Sequence, residues 1–328
     1  MRVINYICKI FQKKSFMLNR RLIRVKVFKE LFGKVVQGND SLMQAEKELI
    51  LSCNKTVDLY CFMLGLPGAL KKIAQAKIDA GLKKFHPTPA EANPNMKFVE
   101  NKFIEILEND YAFGNACQTK GLGWGEQENF VKKLFASIIS KDYYISYMEN
   151  PERSLKEDMD LVKKIYEEEL EDNELLEDIL EEMSLYWMDD LSYVLNVILK
   201  NIPSIAKKGS VEIPKTFLKE DDREYALKLL TKSLVNYDEY TELVSSMVSN
   251  WDLERLVATD LALIVMGVTE AVTFESIPLK VTINEFVDIS KYYSTPNSKV
   301  FVNGLLDRIL QQMVKDGKIV KSGRGLVE

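Results

Sequence analysis

The stretch Pro278–Leu310, PLKVTINEFVDISKYYSTPNSKVFVNGLLDRIL, constrains the fold most. It reads as a loop, a helix, a second loop and a second helix. Thr282 and Glu285 have T-x-x-E spacing, which predicts a capping box for the amide donors a new helix leaves unpaired. Ile283, Phe286, Val287 and Ile289 then give an apolar face at helical spacing. Pro296 biases Thr295 away from helix, so 294–298 is a break. Val300, Phe301, Leu305, Leu306 and Ile309 open the next amphipathic helix. Gly304 inside it costs about 1 kcal/mol against Ala. The expectation is that another helix approaches closely there.

The same periodicity runs through the chain. Nine Pro and fifteen Gly are few for 328 residues, and few runs alternate apolar with polar, so the fold class is all-α. Asn19–Val36 reads as the first helix, with Val25, Phe28, Leu31 and Phe32 inward. Ser41 with Gln44, and Ser154 with Glu157, predict further N-terminal caps. Helices are expected over Ala69–Phe85, Met96–Glu108 and Glu126–Met148. Shifted by 64 residues, Asp158–Trp187 overlays Asp222–Trp251, with Leu170 on Leu234 and Met183 on Met247, the pattern either of a duplicated helical unit or of shared helical periodicity. Pro203, Gly209 and Pro214 mark a linker. The domain reading is an extension at 1–18, a large N-terminal helical bundle at 19–200, a linker at 201–220, a C-terminal bundle at 221–315 and a flexible basic tail at 316–328.

No segment reaches 18 uninterrupted apolar residues, so no membrane span is expected. Four cysteines without a C-x-x-C pair and one histidine, His86, leave no metal centre and no catalytic triad. Neither a phosphate-binding nor a dinucleotide-binding glycine loop is present. The expectations are a non-enzymatic cytoplasmic protein, without cofactor, whose cysteines are reduced. Residues 1–16 lack a signal-peptide cleavage site, and they read as an upstream extension before Met17.

The net charge of −5 conceals a polarity. Residues 1–34 carry ten basic and one acidic side chain; 149–190 carry four basic and seventeen acidic; 291–328 carry seven basic and three acidic. Basic ends around an acidic middle suggest a polyanion bound near the termini. Arg20 and Arg24 share a face of the first helix, with Arg21 beside them and Lys26 and Lys29 extending the stripe. Cations near a helix N-terminus oppose the macrodipole, whereas a phosphate partner would justify them.

The motifs IPLKVTINEFVDISKYYS and SKVFVNGLLDRI, together with the arginine-rich NRRLIRVKVFKELF at 19–32, closely resemble the NusB family of bacterial transcription antitermination factors, in a long, Bacteroidetes-type form. The resemblance implies NusB-like helical bundles, with the first helix and a large insertion enlarging the N-terminal one. It implies an adaptor that binds boxA RNA of ribosomal transcripts with ribosomal protein NusE and acts on the RNA polymerase elongation complex. RNA contacts then fall on Arg20, Arg21, Arg24, Lys26, Asn297, Ser298, Lys299 and Phe301, with Asn, Ser and Lys offering hydrogen bonds and charge and Phe a stacking surface. Partner contacts fall on Phe32, Asp260 and Glu270. The alternative is a protein-binding helical scaffold without RNA affinity.

Overall fold

The computed structural model describes residues 18–38, 41–217, 219–248 and 257–326. The expectations for 1–17, for Trp251 and for Leu253–Leu256 lie outside these. The regular structure of the described residues is helical, and their only strand-like feature is an isolated bridge between Leu18 and Phe217. In chain order the helices are α1 (Arg20–Gln37), α2 (Leu42–Leu64), α3 (Leu66–Leu82), α4 (Pro89–Ala92), α5 (Lys102–Asn109), α6 (Tyr111–Thr119), α7 (Glu128–Ile138) and α8 (Asp142–Glu149). They continue as α9 (Leu155–Glu169), α10 (Glu174–Met183), α11 (Leu191–Lys208), α12 (Glu220–Val235), α13 (Tyr237–Met247), α14 (Ala258–Thr273), α15 (Leu279–Tyr293) and α16 (Ser298–Lys315).

Two compact units result. One comprises 54–216; the other joins 18–53 to the chain from Phe217 onward. The sequence reading groups α1 with residues 19–200, but α1 packs on α12 and α14 of the second unit. The reason lies in α1 itself. Leu22, Ile23, Val25, Val27, Phe28 and Leu31 are all buried, so the helix is apolar around most of its circumference and needs neighbours on several sides. Its ends match the sequence reading within a residue. Asn19 caps it by accepting from Leu22 N, and Gly38 closes it at φ 63°.

In this second unit α14 is the central helix, touched by α1, α12, α13, α15 and α16. A Cβ on Gly267 would meet Leu306 Cδ2 at 2.8 Å, so glycine lets α14 and α16 close on each other. Gly304, where the sequence suggested close approach, is exposed, and a Cβ there would meet nothing. The capping box expected at Thr282–Glu285 is absent, because Pro278 caps α15 and both residues lie within the helix, where their side chains reach other helices. The tail expected to be flexible is docked: Lys321 Nζ donates to Ala271 O and Phe274 O at 2.8 and 3.0 Å, satisfying carbonyls at the end of α14.

The 54–216 unit has an aromatic centre. Phe62 stacks between Trp124 and Trp187, with ring centroids at 4.1 and 5.6 Å. The indole Nε1 of Trp124 donates to Phe62 O, and that of Trp187 to Lys55 O, so both rings are fixed at their polar ends. Ser154 caps α9 as expected, but Glu157 turns to the buried Lys97, which also donates to Tyr147 O and Asn150 O. The single helix expected over Glu126–Met148 is two, α7 and α8. They part at Ser140, whose hydroxyl donates to Ser137 O. Pro203 lies inside α11, although its ring removes a backbone bond. The apolar face Ile198, Ile202 and Ile205 stays buried, with α11 packed on α9. Leu42–Leu82 contains an 18-residue window apolar enough to cross a membrane by composition, yet 67% of that window is buried within protein.

Candidate nucleic-acid interface

The arginines of α1 meet carboxylates. Arg24 is 4% exposed and forms two bonds to Glu270, Nε to Oε2 at 2.6 Å and Nη2 to Oε1 at 3.1 Å. Glu270 is fully buried on α14 and also accepts from Tyr225 Oη and from Thr282 Oγ1. Burial raises the Glu270 pKa; the Arg24 charge and the three donors outweigh it and hold the carboxyl below its ordinary value. Arg24 mirrors this. Burial disfavours its charge, while Glu270, Tyr225 and Glu285 favour it and win. Arg21 pairs with Glu285 at 2.7 Å and Asp288 at 3.4 Å. Arg20 pairs with Asp222 at 3.2 Å and lies over the Tyr225 ring, keeping 42% of its side chain exposed.

The expected arginine stripe is therefore corrected. Of the three, only Arg20 presents much of itself to solvent; Arg24 is locked in a buried pair. Lys26 does not extend an exposed stripe either, being 3% exposed with its ammonium on Ser52 Oγ. The expected partner contacts at Asp260 and Glu270 are likewise corrected. Glu270 is buried in the network just described, and Asp260 is 4% exposed and accepts from Ser298 Oγ at 2.7 Å. Ser298 is 2% exposed, also bonding Ser294 and Thr295, so it shapes the loop rather than facing a ligand. Phe32 is half-buried and stacks on Phe28 at 6.0 Å.

Asn297 and Lys299 are exposed, and Phe301 is half-buried, around the first turn of α16. This loop and the arginine end are apart. Glu270, bound to Arg24, and Asp260, bound to Ser298, are separated by ten residues of α14, a rise of roughly 15 Å. What stands beside the residue that precedes the loop is the middle of α1. Tyr293 packs on Phe28 at 5.5 Å, and the Lys29 ammonium lies 5.8 Å from the Tyr293 ring. Ser294, the next residue, shares a hydrogen bond with Thr259. Lys29 and Tyr293 thus meet at the end of α15, from which the chain runs on through the loop to Asn297, Lys299 and Phe301. Tyr293 was missed by the sequence reading. Its signal was the K-Y-Y-S run at the end of α15, a basic and aromatic cluster at a helix terminus.

The family model described as NusB family matches residues 204–311, which contain α12 to most of α16. The transcription antitermination protein NusB of Salinibacter ruber is 39% identical over 105 residues, 32% of this chain and 66% of that protein. The chain belongs to the NusB family. The protein of the same name from Chloroherpeton thalassium is 33% identical over 106 residues, covering 32% of this chain and 50% of it. That from Methylacidiphilum infernorum is 37% identical over 94 residues, covering 29% and 66%. The chain thus spans one half to about two thirds of the length of these relatives. No solved structure matches it. The matched region covers 217–311 of the unit that holds the loop and begins within the last residues, 204–216, of the other; residues 18–53 and 54–203 fall outside it.

Proposed function

We propose that this protein is a non-enzymatic transcription antitermination adaptor that binds boxA-like RNA of ribosomal transcripts together with ribosomal protein NusE, and so acts on the RNA polymerase elongation complex in the cytoplasm. The observation that carries the reading is the family match over 204–311, with relatives named as transcription antitermination proteins. The surface that suits a single strand is the α16 end. Lys299 supplies charge for phosphate, Asn297 an amide for base edges, and Phe301 and Tyr293 rings for stacking. Arg20 is a second, separate phosphate contact. Arg21 and Arg24 hold α1 against α14 and α15 and act on RNA only by keeping Lys29 in place.

A second reading, a protein-binding scaffold without RNA affinity, draws on one observation: the family's arginine cluster is spent on Glu270, Glu285 and Asp288. A gel-shift titration of a boxA oligonucleotide, with and without NusE, at about 50–200 mM salt separates the two. The adaptor reading expects affinity to fall with salt, NusE to tighten binding, and Lys299→Ala to reduce the salt slope by about one. NusE binding with no RNA enhancement would establish the scaffold instead.

A further inference from the structure

Two thiols of the 54–216 unit meet. Cys61, on α2, is 1% exposed; Cys117, on α6, is partly open to solvent. Cys117 Sγ donates to Cys61 O at 4.0 Å, so the two cysteines stand side by side. The two helices are pinned together on either side. Lys120 Nζ bonds Asp58 at 2.6 Å, one turn before Cys61, and Trp124 Nε1 bonds Phe62 O, the residue after it. Neither thiol is used in the reading above. Cys53 lies eight residues before Cys61 on the same helix, roughly 12 Å along its axis, too far to compete.

We propose that Cys61 and Cys117 are a peroxide-responsive dithiol, with Cys117 the attacking sulfur and Cys61 the resolving one. Their environments divide the roles. The neighbouring Cys61 thiol holds the Cys117 pKa below the ordinary thiol value against the opposing effect of burial, and the Lys120 charge assists. The same proximity, with burial, pushes Cys61 up, so it stays a thiol until its partner is oxidised. In the first step the Cys117 thiolate attacks one oxygen of hydrogen peroxide. An S–O bond forms, the O–O bond breaks, and hydroxide leaves to take a proton from solvent as water. In the second, the Cys61 sulfur attacks the Cys117 sulfenic acid. An S–S bond forms, the S–O bond breaks, and the departing hydroxide takes the Cys61 proton as a second water. Two thiols lose two electrons and the peroxide gains them. The product ties α6 covalently to α2, and a dithiol reductant reverses it.

The test treats the full reduced chain with hydrogen peroxide, then maps non-reduced peptides by mass spectrometry and counts thiols. The expected result is a Cys61–Cys117 linked peptide, loss of two of the four thiols, and recovery with dithiothreitol. Cys61→Ala is expected to leave a Cys117 sulfenic acid that dimedone traps, and Cys117→Ser to abolish both cross-link and trapping. Linkage of either cysteine to Cys8 or Cys53 would overturn the proposal. So would sulfinic acid at Cys117 beside a free Cys61 in the unsubstituted chain, or a Cys117 untouched by peroxide. The mapping on the unsubstituted chain decides the matter even where a variant folds poorly.

Discussion

Replacing Arg24 with alanine discriminates between a structural and an RNA-binding arginine. Glu270 is fully buried and draws donors from three side chains, of which Arg24 alone carries charge within hydrogen-bond distance. Removing it strands a carboxylate away from water, at a cost of about 3–5 kcal/mol. At about 1.4 kcal/mol per decade, that multiplies the opening equilibrium of the surrounding helices roughly 10²–10⁴-fold. Arg20→Ala is the control. Its pair with Asp222 is solvent-facing, so its loss costs about 0–1 kcal/mol. Hydrogen exchange read by mass spectrometry on peptides from α14 and α15 measures both. Arg24→Ala is expected to speed exchange there by about two to four decades, and Arg20→Ala by less than one. The pH dependence carries the same signature. Glu270 has its folded pKa below the ordinary carboxyl value of 4.5, so its stabilising contribution is complete above that value and is lost as pH falls through the lower, folded one. Unchanged protection in Arg24→Ala, together with a tenfold loss of boxA affinity, would refute the reasoning and return Arg24 to the RNA surface.

Two glycines are expected to respond with opposite signs. Gly267→Ala forces its new methyl against buried Leu306 and is expected to lose about 1–3 kcal/mol, whereas Gly304→Ala, on an open helix face, is expected to gain up to about 1 kcal/mol; urea midpoints of the two variants check both. Glu30 lies on α1 beside Glu48 and Lys34; burial and the hydrogen bond and charge of Glu48 push its carboxyl to about 7, against the pull of Lys34. Its folded value is raised, so its contribution is complete below 4.5 and fades as pH climbs through about 7. Glu30→Gln is therefore expected to flatten stability across that window and to exceed the parent at pH 8, by on the order of 1 kcal/mol in urea unfolding.

Periodicity made the helices legible, and short-range chemistry made two caps legible: Ser41 and Ser154 each accept the bond their position suggests. The burial of Arg24 and Lys26 was also within reach. Leu22, Ile23, Val25 and Val27 flank them, so α1 is apolar around most of its circumference, and a charge set among such neighbours must find its partner inside. Reading those cations as a surface stripe weighed their charge and ignored their neighbours. Thr282 and Glu285 misled for a different reason. Their spacing suits a cap, but a cap depends on where the helix begins, and Pro278 starts it four residues earlier. The grouping of α1 with the C-terminal helices was not legible, because no local pattern reports which distant carboxylate an arginine meets. The same holds for the gathering of Lys29 beside Tyr293.

The pairing of α1 with α14 has a consequence for synthesis on the ribosome. Arg24 and Glu270 stand 246 residues apart in the chain. At about 5–20 residues per second, α1 waits roughly 12–50 s before its carboxylate partner is even polymerised. The 54–216 unit, complete in sequence well before then, is free to fold first. Until α14 arrives, a greasy cationic segment is left unsheltered, so translation speed through the insertion sets how long the nascent chain is vulnerable to aggregation or to chaperone capture.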